Sequence, residues 1–163
     1  ECVQDVSVEH SIKVAALETF RRQKCHQPVM DFLEKITWSK EMDSELRIQA
    51  YLQRMRCADE KFLKGMLQDK LEKEQSQQVG SFIYSHLMNL ANSDSPMKET
   101  LSRYLQDHDV VGNFEKFNLD FRKFSKNIDY SSFDDDKNFG GSVETNVIYS
   151  SKSFVPRSAS VNL

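Results

Sequence analysis

The sequence predicts a mainly α-helical chain: a two-layered helical-repeat array that gives way to β-strands near the C-terminal end. Three observations predict it. Longer and shorter amphipathic segments alternate over residues 1–106. The longer ones superpose at a period of about 34 to 35 residues, a spacing of stacked helical repeats rather than of a closed bundle. Finally, residues 143–163 change to a two-residue periodicity, the signature of strands with one buried face.

In chain order, SVEHSIKVAALETFRR places Val8, Ile12, Ala15, Ala16, Thr19 and Phe20 at helical spacing, with Ser7 as the expected N-cap. A shorter helix follows, with Pro28 where a first-turn proline is tolerated and Val29, Phe32, Leu33 and Ile36 as its apolar stripe. The next long segment begins at Asp43 or Ser44 and carries Leu46, Ile48, Ala50, Leu52 and Met55. KFLKGMLQDKL is again shorter, QQVGSFIYSHLMNLAN is long, and PMKETLSRYLQDH closes the set with Met97, Leu101, Tyr104 and Leu105 on one face. Superposing the long segments aligns Val14, Ile48 and Ile83, and also Ala16, Ala50 and Ser85, a small residue where neighbouring helices approach most closely.

Residues 107–142 read as a connector. Gly112 interrupts the pattern, Phe114, Phe117, Phe121 and Phe124 recur at spacings of three and four that would align them on one side of a helix, and SSFDDDKNFGGS is turn-rich. Asp134, Asp135 and Asp136 lack the alternate spacing and terminal glutamate of an EF-hand loop, so they read as a solvated acidic loop. Strands are expected over Val143–Tyr149 and Ala159–Leu163, joined by a loop holding Pro156 and Arg157, with Val143, Val147 and Tyr149 on one face. Two such strands bury little alone. The sequence therefore reads either as strands that pair elsewhere in the chain or as a segment cut from something longer.

With 39% hydrophobic and 29% charged residues in 163, the composition is that of one globular domain or a segment of a larger one. No apolar run approaches the roughly 18 residues of a membrane-spanning helix. The net charge of -3 is small and its positive residues are interspersed with acids, which excludes the basic footprint of a nucleic-acid binder. Catalytic motifs are absent: there is no GxSxG, no phosphate-binding glycine loop and no HExxH, and His10, His26, His86 and His108 share no metal-ligand spacing. No catalytic or metal residue is expected, and no cofactor. Cys2, Cys25 and Cys57 include no CxxC pair, and permit either three reduced thiols or one disulfide with an unpaired remainder.

The order of parts resembles a known family. A helical repeat containing VAALETFRR, SELRIQAYLQRMRC and QVGSFIYSHLMNL, followed by DFRKFSKN and NVIYSSKSFVPRSASVNL, is similar to the N-terminal lipid-transport module of vitellogenins, apolipophorins, apolipoprotein B and microsomal triglyceride transfer protein. The stretches Gln78 to Leu90 and Asp120 to Ser125 look like apolipoprotein B, and Phe154 to Leu163 looks most like arthropod apolipophorin. The resemblance implies the later part of a two-layered, horseshoe-shaped α-α superhelix, then the crossover into the first of the β-sheets that enclose a lipid cavity. It implies a secreted, non-catalytic lipid carrier with phospholipid and neutral lipid as partners, together with the rest of a larger parent protein. Val143, Val147, Tyr149, Val161 and Leu163 are the lipid-facing candidates on this reading. A self-contained helical scaffold for protein partners is the alternative.

Stacking the repeats also orders the cysteines. Cys25 follows the first long helix and Cys57 the equivalent helix one repeat later, which brings them to matching ends of neighbours. Contacting helix axes lie about 8 to 10 Å apart, and helix-end loops can close that to the Cα separation of about 4.4 to 6.8 Å that a disulfide needs. Cys2 is separated from Cys25 by a helix about 22 Å long. The expected pair is Cys25 with Cys57, with Cys2 left for a cysteine upstream.

Overall fold

The computed structural model describes residues 2–93, 95–117, 120, 123–134, 136–150, 153 and 155–163. Among the described residues, seven α-helices precede a three-stranded antiparallel sheet: α1 (His10–Glu18), α2 (Gln27–Thr37), α3 (Ser44–Met55), α4 (Glu60–Gly65), α5 (Gln77–Asn92), α6 (Lys98–Leu105), α7 (His108–Glu115), then β1 (Lys126–Asp134), β2 (Phe139–Tyr149) and β3 (Pro156–Asn162). The chain divides into two compact units, Glu1–Leu63 and Lys64–Leu163.

In the first unit α3 packs against both α1 and α2, so helices one repeat apart are neighbours, as stacking requires. The core holds Val3, Leu17, Met30, Leu33, Ile36, Leu46 and Ala50, with Ala16 packed against it. Asp43 caps α3 by accepting the Glu45 N–H at 2.9 Å, and Pro28 sits in the first turn of α2, where a missing donor has no consequence. Asp59 caps α4 through the Phe62 N–H at 2.7 Å. Ser7 does not cap α1. Its N–H and hydroxyl both turn to the Asp5 carboxylate, at 2.9 and 2.7 Å, and α1 starts at His10 with no side-chain cap. The first long segment also divides: after Glu18 it tightens into a 3₁₀ turn, Thr19–Arg22. There the Thr19 hydroxyl takes the Ala16 carbonyl at 2.7 Å, the back-bonding that bends a helix. α1 is consequently shorter than α2, and the alternation of long with short begins only at α3.

In the second unit α4 continues as a π-turn, Met66–Lys70, whose terminal carbonyls are met by Lys116. The ammonium reaches Leu71 O at 2.8 Å and Glu72 O at 2.6 Å, favourable placement for a cation at a helix C-terminus. α5, capped by Ser76, packs against α6, α7 and β1. Gly80 of α5 lies where the Phe117 ring presses on the helix, and a β-carbon there would overlap the ring.

Three expectations for residues 107–142 are corrected. Gly112 does not end a helix but lies inside α7, where packing of Val110 and Phe114 outweighs the ~1 kcal/mol propensity cost of a helical glycine. The phenylalanines do not share a helix face. α7 stops at Glu115, Phe114 and Phe117 are buried on either side of its end, Phe124 follows near the start of β1, and Phe121 lies outside the described residues. The connector itself contains β1, and β2 begins at Phe139 rather than Val143. Of the acidic run, Asp135 lies outside the described residues, Asp134 ends β1 and Asp136 lies in the turn of the β1–β2 hairpin. Asp134 pairs with Phe139 across it, Lys137 donates to the Asp134 carboxylate from Nζ at 2.8 Å and from its backbone at 3.1 Å, and Asn138 takes the left-handed φ of 47°. That hydrogen bonding holds the Asp134 carboxyl below the ordinary range. Pro156 and Arg157 are not in a loop but open β3, an edge strand whose first position accepts a proline without loss of a ladder bond.

Candidate functional site: a sheet with its polar face inward

Strand order is β1-β2-β3. The register opposes Ile128 to Thr145, Tyr130 to Val143 and Lys126 to Val147, and opposes Thr145 to Val161 and Val147 to Ala159. Directly opposed residues share a face and successive residues alternate, so Ile128, Tyr130, Phe139, Val143, Val147, Ala159 and Val161 lie on one side. The other side carries Asn127, Asp129, Glu144, Asn146, Ser158, Ser160 and Asn162, with Ile148 its large aliphatic residue and the exposed Phe133 towards the hairpin end.

An ordinary two-layer domain turns the apolar face to its helix. Here the polar face meets α5. The Asn89 amide donates to Asn127 at Oδ1 (2.7 Å) and at the backbone carbonyl (3.0 Å). Asn127 Nδ2 donates in turn to Asn146 Oδ1 and Glu144 Oε1, both at 2.8 Å, and Asn162 Nδ2 donates to Glu144 Oε2 at 3.0 Å. Ser85, the small residue expected at a helix-to-helix approach, accepts the Asn127 N–H at 2.9 Å and admits a strand. Asn127 and Asn146 are each only 3% exposed. Satisfied buried polar groups of this kind fix register.

The apolar side is bare. Tyr130 is 71% exposed, Val161 61%, Ile128 44% and Val143 40%, while Val147 is half-buried. Of the lipid-facing candidates, the structure brings Val143, Val147 and Val161 together on this side. Tyr149 is buried rather than bare, with its N–H on the Ser125 hydroxyl at 2.8 Å; beside it the register shift leaves Arg157 as an extra residue on β3. Leu163 is exposed beyond the end of β3. Ile128 and Tyr130 join the face from a strand that sequence reasoning had assigned to the connector, although their two-residue spacing was a signal for it. A cleft of about 250 Å³ lined by Tyr84, Met88 and Phe124 beside Lys126 falls short of the roughly 300–1,000 Å³ of small-molecule pockets. The face, not the cleft, is the feature of size.

Ser125 fixes where β1 begins. Its N–H and hydroxyl both donate to Gln78 Oε1 at 2.7 Å, its carbonyl accepts from Ser81 Oγ at 3.0 Å, and Gln78 Nε2 donates to the Lys123 carbonyl at 3.1 Å. The two stretches that looked like apolipoprotein B, one in α5 and one before β1, are thus two halves of one polar latch.

The buried His86 of α5 makes this region acid-sensitive, and Asp129 works the other way, because protonation relieves its burial and its repulsion from Glu144. Burial pushes His86 down to about 4 against a smaller opposing pull from Glu144. Burial and the Glu144 charge opposite it push Asp129 up. For His86 the sign follows from linkage: its folded pKa lies below the unfolded 6.5, so the unfolded chain takes up the proton first as pH falls. Stability is therefore complete above pH 6.5 and declines down to about pH 4, by about 2–3 kcal/mol at pH 4.5. Urea unfolding at pH 7.5 and 4.5 should show that decline, and His86→Gln should remove most of it; an equal decline in the variant would assign it to other groups.

Cys25 and Cys57 form a disulfide in the first unit, with Cα atoms 5.8 Å apart. Cys2 is free and exposed. Among the described residues no helix is long and apolar enough to cross a membrane.

Stacked helices that lead into an antiparallel sheet with an uncovered face define a helical-repeat protein with an open sheet appended. The chain belongs to the vitellogenin family: residues 1–88 match the vitellogenin TPR domain, and residues 123–163 match the vitellinogen open β-sheet. It is 37% identical over 162 residues to the vitellogenin of Penaeus merguiensis, covering 99% of this chain and 6% of that protein. It is 38% identical over 159 residues to the apolipophorins of Locusta migratoria, covering 98% and 5%. A solved lipovitellin structure concerned with lipid–protein interactions has the same fold, with a TM-score of 0.72 at 20% identity over 97% of this chain and 17% of the other. The chain thus spans a small fraction of the length of these relatives.

Proposed function

We propose that this chain is the junction of a secreted, non-catalytic lipid-transport protein at which the helical repeat ends and the lipid-holding sheet begins. Phospholipid and neutral lipid are the cargo. One observation carries the reading: the sheet spends its polar face on α5 and leaves Ile128, Tyr130, Val143, Val147 and Val161 for a partner that is itself apolar. A fully buried valine or isoleucine side chain gains about 1.5–3 kcal/mol over an exposed one, so acyl chains laid across this face would be held without any directional contact. The vitellogenin and apolipophorin relatives and the lipovitellin fold support the same reading. A scaffold for protein partners would use the helices and leaves the inversion of the sheet without a purpose.

The test is flotation of the protein with phosphatidylcholine vesicles and with triolein emulsions. Val143→Asp combined with Val147→Asp should reduce co-flotation at least fivefold while the helical circular dichroism stays within about a tenth of the parent value. Undiminished flotation of the double variant, or a parallel loss of helix, would overturn the assignment of lipid contact to this face.

A further inference from the structure

We propose that His10, Asp43 and Glu45 form a binding site for a divalent transition metal of the zinc type, which ties the start of α1 to the start of α3. At the offset that aligns Val14 with Ile48, His10 corresponds to Ser44, one residue before Glu45. His10 opens α1, Asp43 is the N-cap of α3, and Glu45 is the second residue of that helix. His10 Nε2 lies 2.7 Å from Glu45 Oε2, and one ligand atom from each of the three residues lies within 4.8 Å of the other two. The Glu45 side chain is 6% exposed and that of His10 31%, so the carboxylate is enclosed while the imidazole borders solvent. Asp43 Oδ1 accepts the Glu45 N–H at 2.9 Å, which orients the second carboxylate from its own backbone neighbourhood.

One imidazole and two carboxylates are a donor set for a borderline cation with water completing the sphere, and the ring nitrogen disfavours the hard ions magnesium and calcium. Metal–ligand bonds of about 2.0–2.2 Å place tetrahedral ligands about 3.3–3.5 Å apart. The His10–Glu45 contact must therefore lengthen by less than about 1 Å and the Asp43 carboxylate swing inward, both within reach of side-chain torsions. A metal takes the place of a proton at Nε2, so protons compete with it for that nitrogen and binding weakens with acid. The positive end of the α3 dipole favours the carboxylates as they stand, so a dication binds against it. The outcome is a two-ended clamp: Cys25–Cys57 joins the loops after α1 and α3, and the metal joins the beginnings of the same helices.

The measurement is equilibrium dialysis and thermal melting of the disulfide-intact chain carrying Cys2→Ser, which removes the free thiol as a competitor, with Zn²⁺ at pH 7.5 and pH 5.5. One Zn²⁺ per chain is expected, with a raised Tm that magnesium and calcium do not reproduce and that fades at the lower pH. His10→Gln should lower the affinity at least tenfold. Asp43→Asn, which keeps an N-cap acceptor but not its charge, should do likewise, and both should melt near the parent temperature without metal. Cobalt(II) in place of zinc should give visible absorption that His10→Gln abolishes. Zinc binding of undiminished affinity in either variant, an equal response to magnesium, or no saturable binding would overturn the site.

Discussion

Replacing Cys25 and Cys57 together by serine should lower the stability of the chain by about 3–4 kcal/mol, the loop-closure entropy expected for a bridge between cysteines 32 positions apart. Few single features of a small helical unit are as large, because whole-domain stabilities are only about 5–15 kcal/mol. The bridge spans α2 and holds the loops after α1 and α3, so its loss frees the end of α1. There Arg56 Nη1 donates to the Phe20 carbonyl at 3.0 Å, and Phe20 and Phe32 pack at 6.0 Å. Urea unfolding followed by circular dichroism at pH 7.5 measures the change. A midpoint within error of the parent would show that the two helices are held by packing alone. The Cys2→Ser chain is the control, since Cys2 is exposed and unbridged, and it should unfold as the parent does.

Where one chemical pattern serves one physical purpose, the structure was legible in the sequence. Leu33 and Ile36 sit four and seven residues after Val29, and the helix they imply is α2. Val143, Val147 and Val161 share a face because alternation survives on β2 and β3. Cys25 and Cys57, 32 positions apart, each follow a long segment of successive repeats, so stacking brings them to matching helix ends. The misreadings arise where a pattern is interrupted or its polarity reversed. β1 reads KNIDYSSFD, and its Asn, Asp and Ser residues look like turn formers because those types are solvated in most proteins. Here Asn127 is buried for its hydrogen bonds to Asn89, Asn146 and Glu144, a role that only the tertiary neighbours assign. Tyr149 keeps the strand period, yet its place at the end of β2 beside Ser125 buries it, a neighbour that no local spacing encodes. The phenylalanines from Phe114 onward mimic a helix stripe, yet Phe117 is placed after the end of α7 by its approach to Gly80, which no local spacing encodes.

Gln78→Ala should release the sheet from α5 while the first unit stays folded. Gln78 is 6% exposed and Ser125 fully buried. Truncation removes the acceptor of the Ser125 N–H and hydroxyl and the donor to the Lys123 carbonyl. Each buried group left without a partner costs about 1–3 kcal/mol, and the hydroxyl can turn to another acceptor, so a total of about 3–4 kcal/mol is expected. Gln78→Glu separates hydrogen bonding from shape. It retains an acceptor for Ser125 but places a charge in a buried site and abolishes the donation to Lys123, so it should not restore the parent stability. Hydrogen exchange localises the effect. Protection should fall at Asn127 and Tyr149, whose N–H groups are held by the Ser85 and Ser125 hydroxyls, and stay unchanged through α2 and α3. A uniform loss across both units would mean that Gln78 supports the whole fold. A loss confined to β1 and β2 would establish that the sheet is fastened to the helical repeat through polar groups, leaving its apolar face free for its other partner.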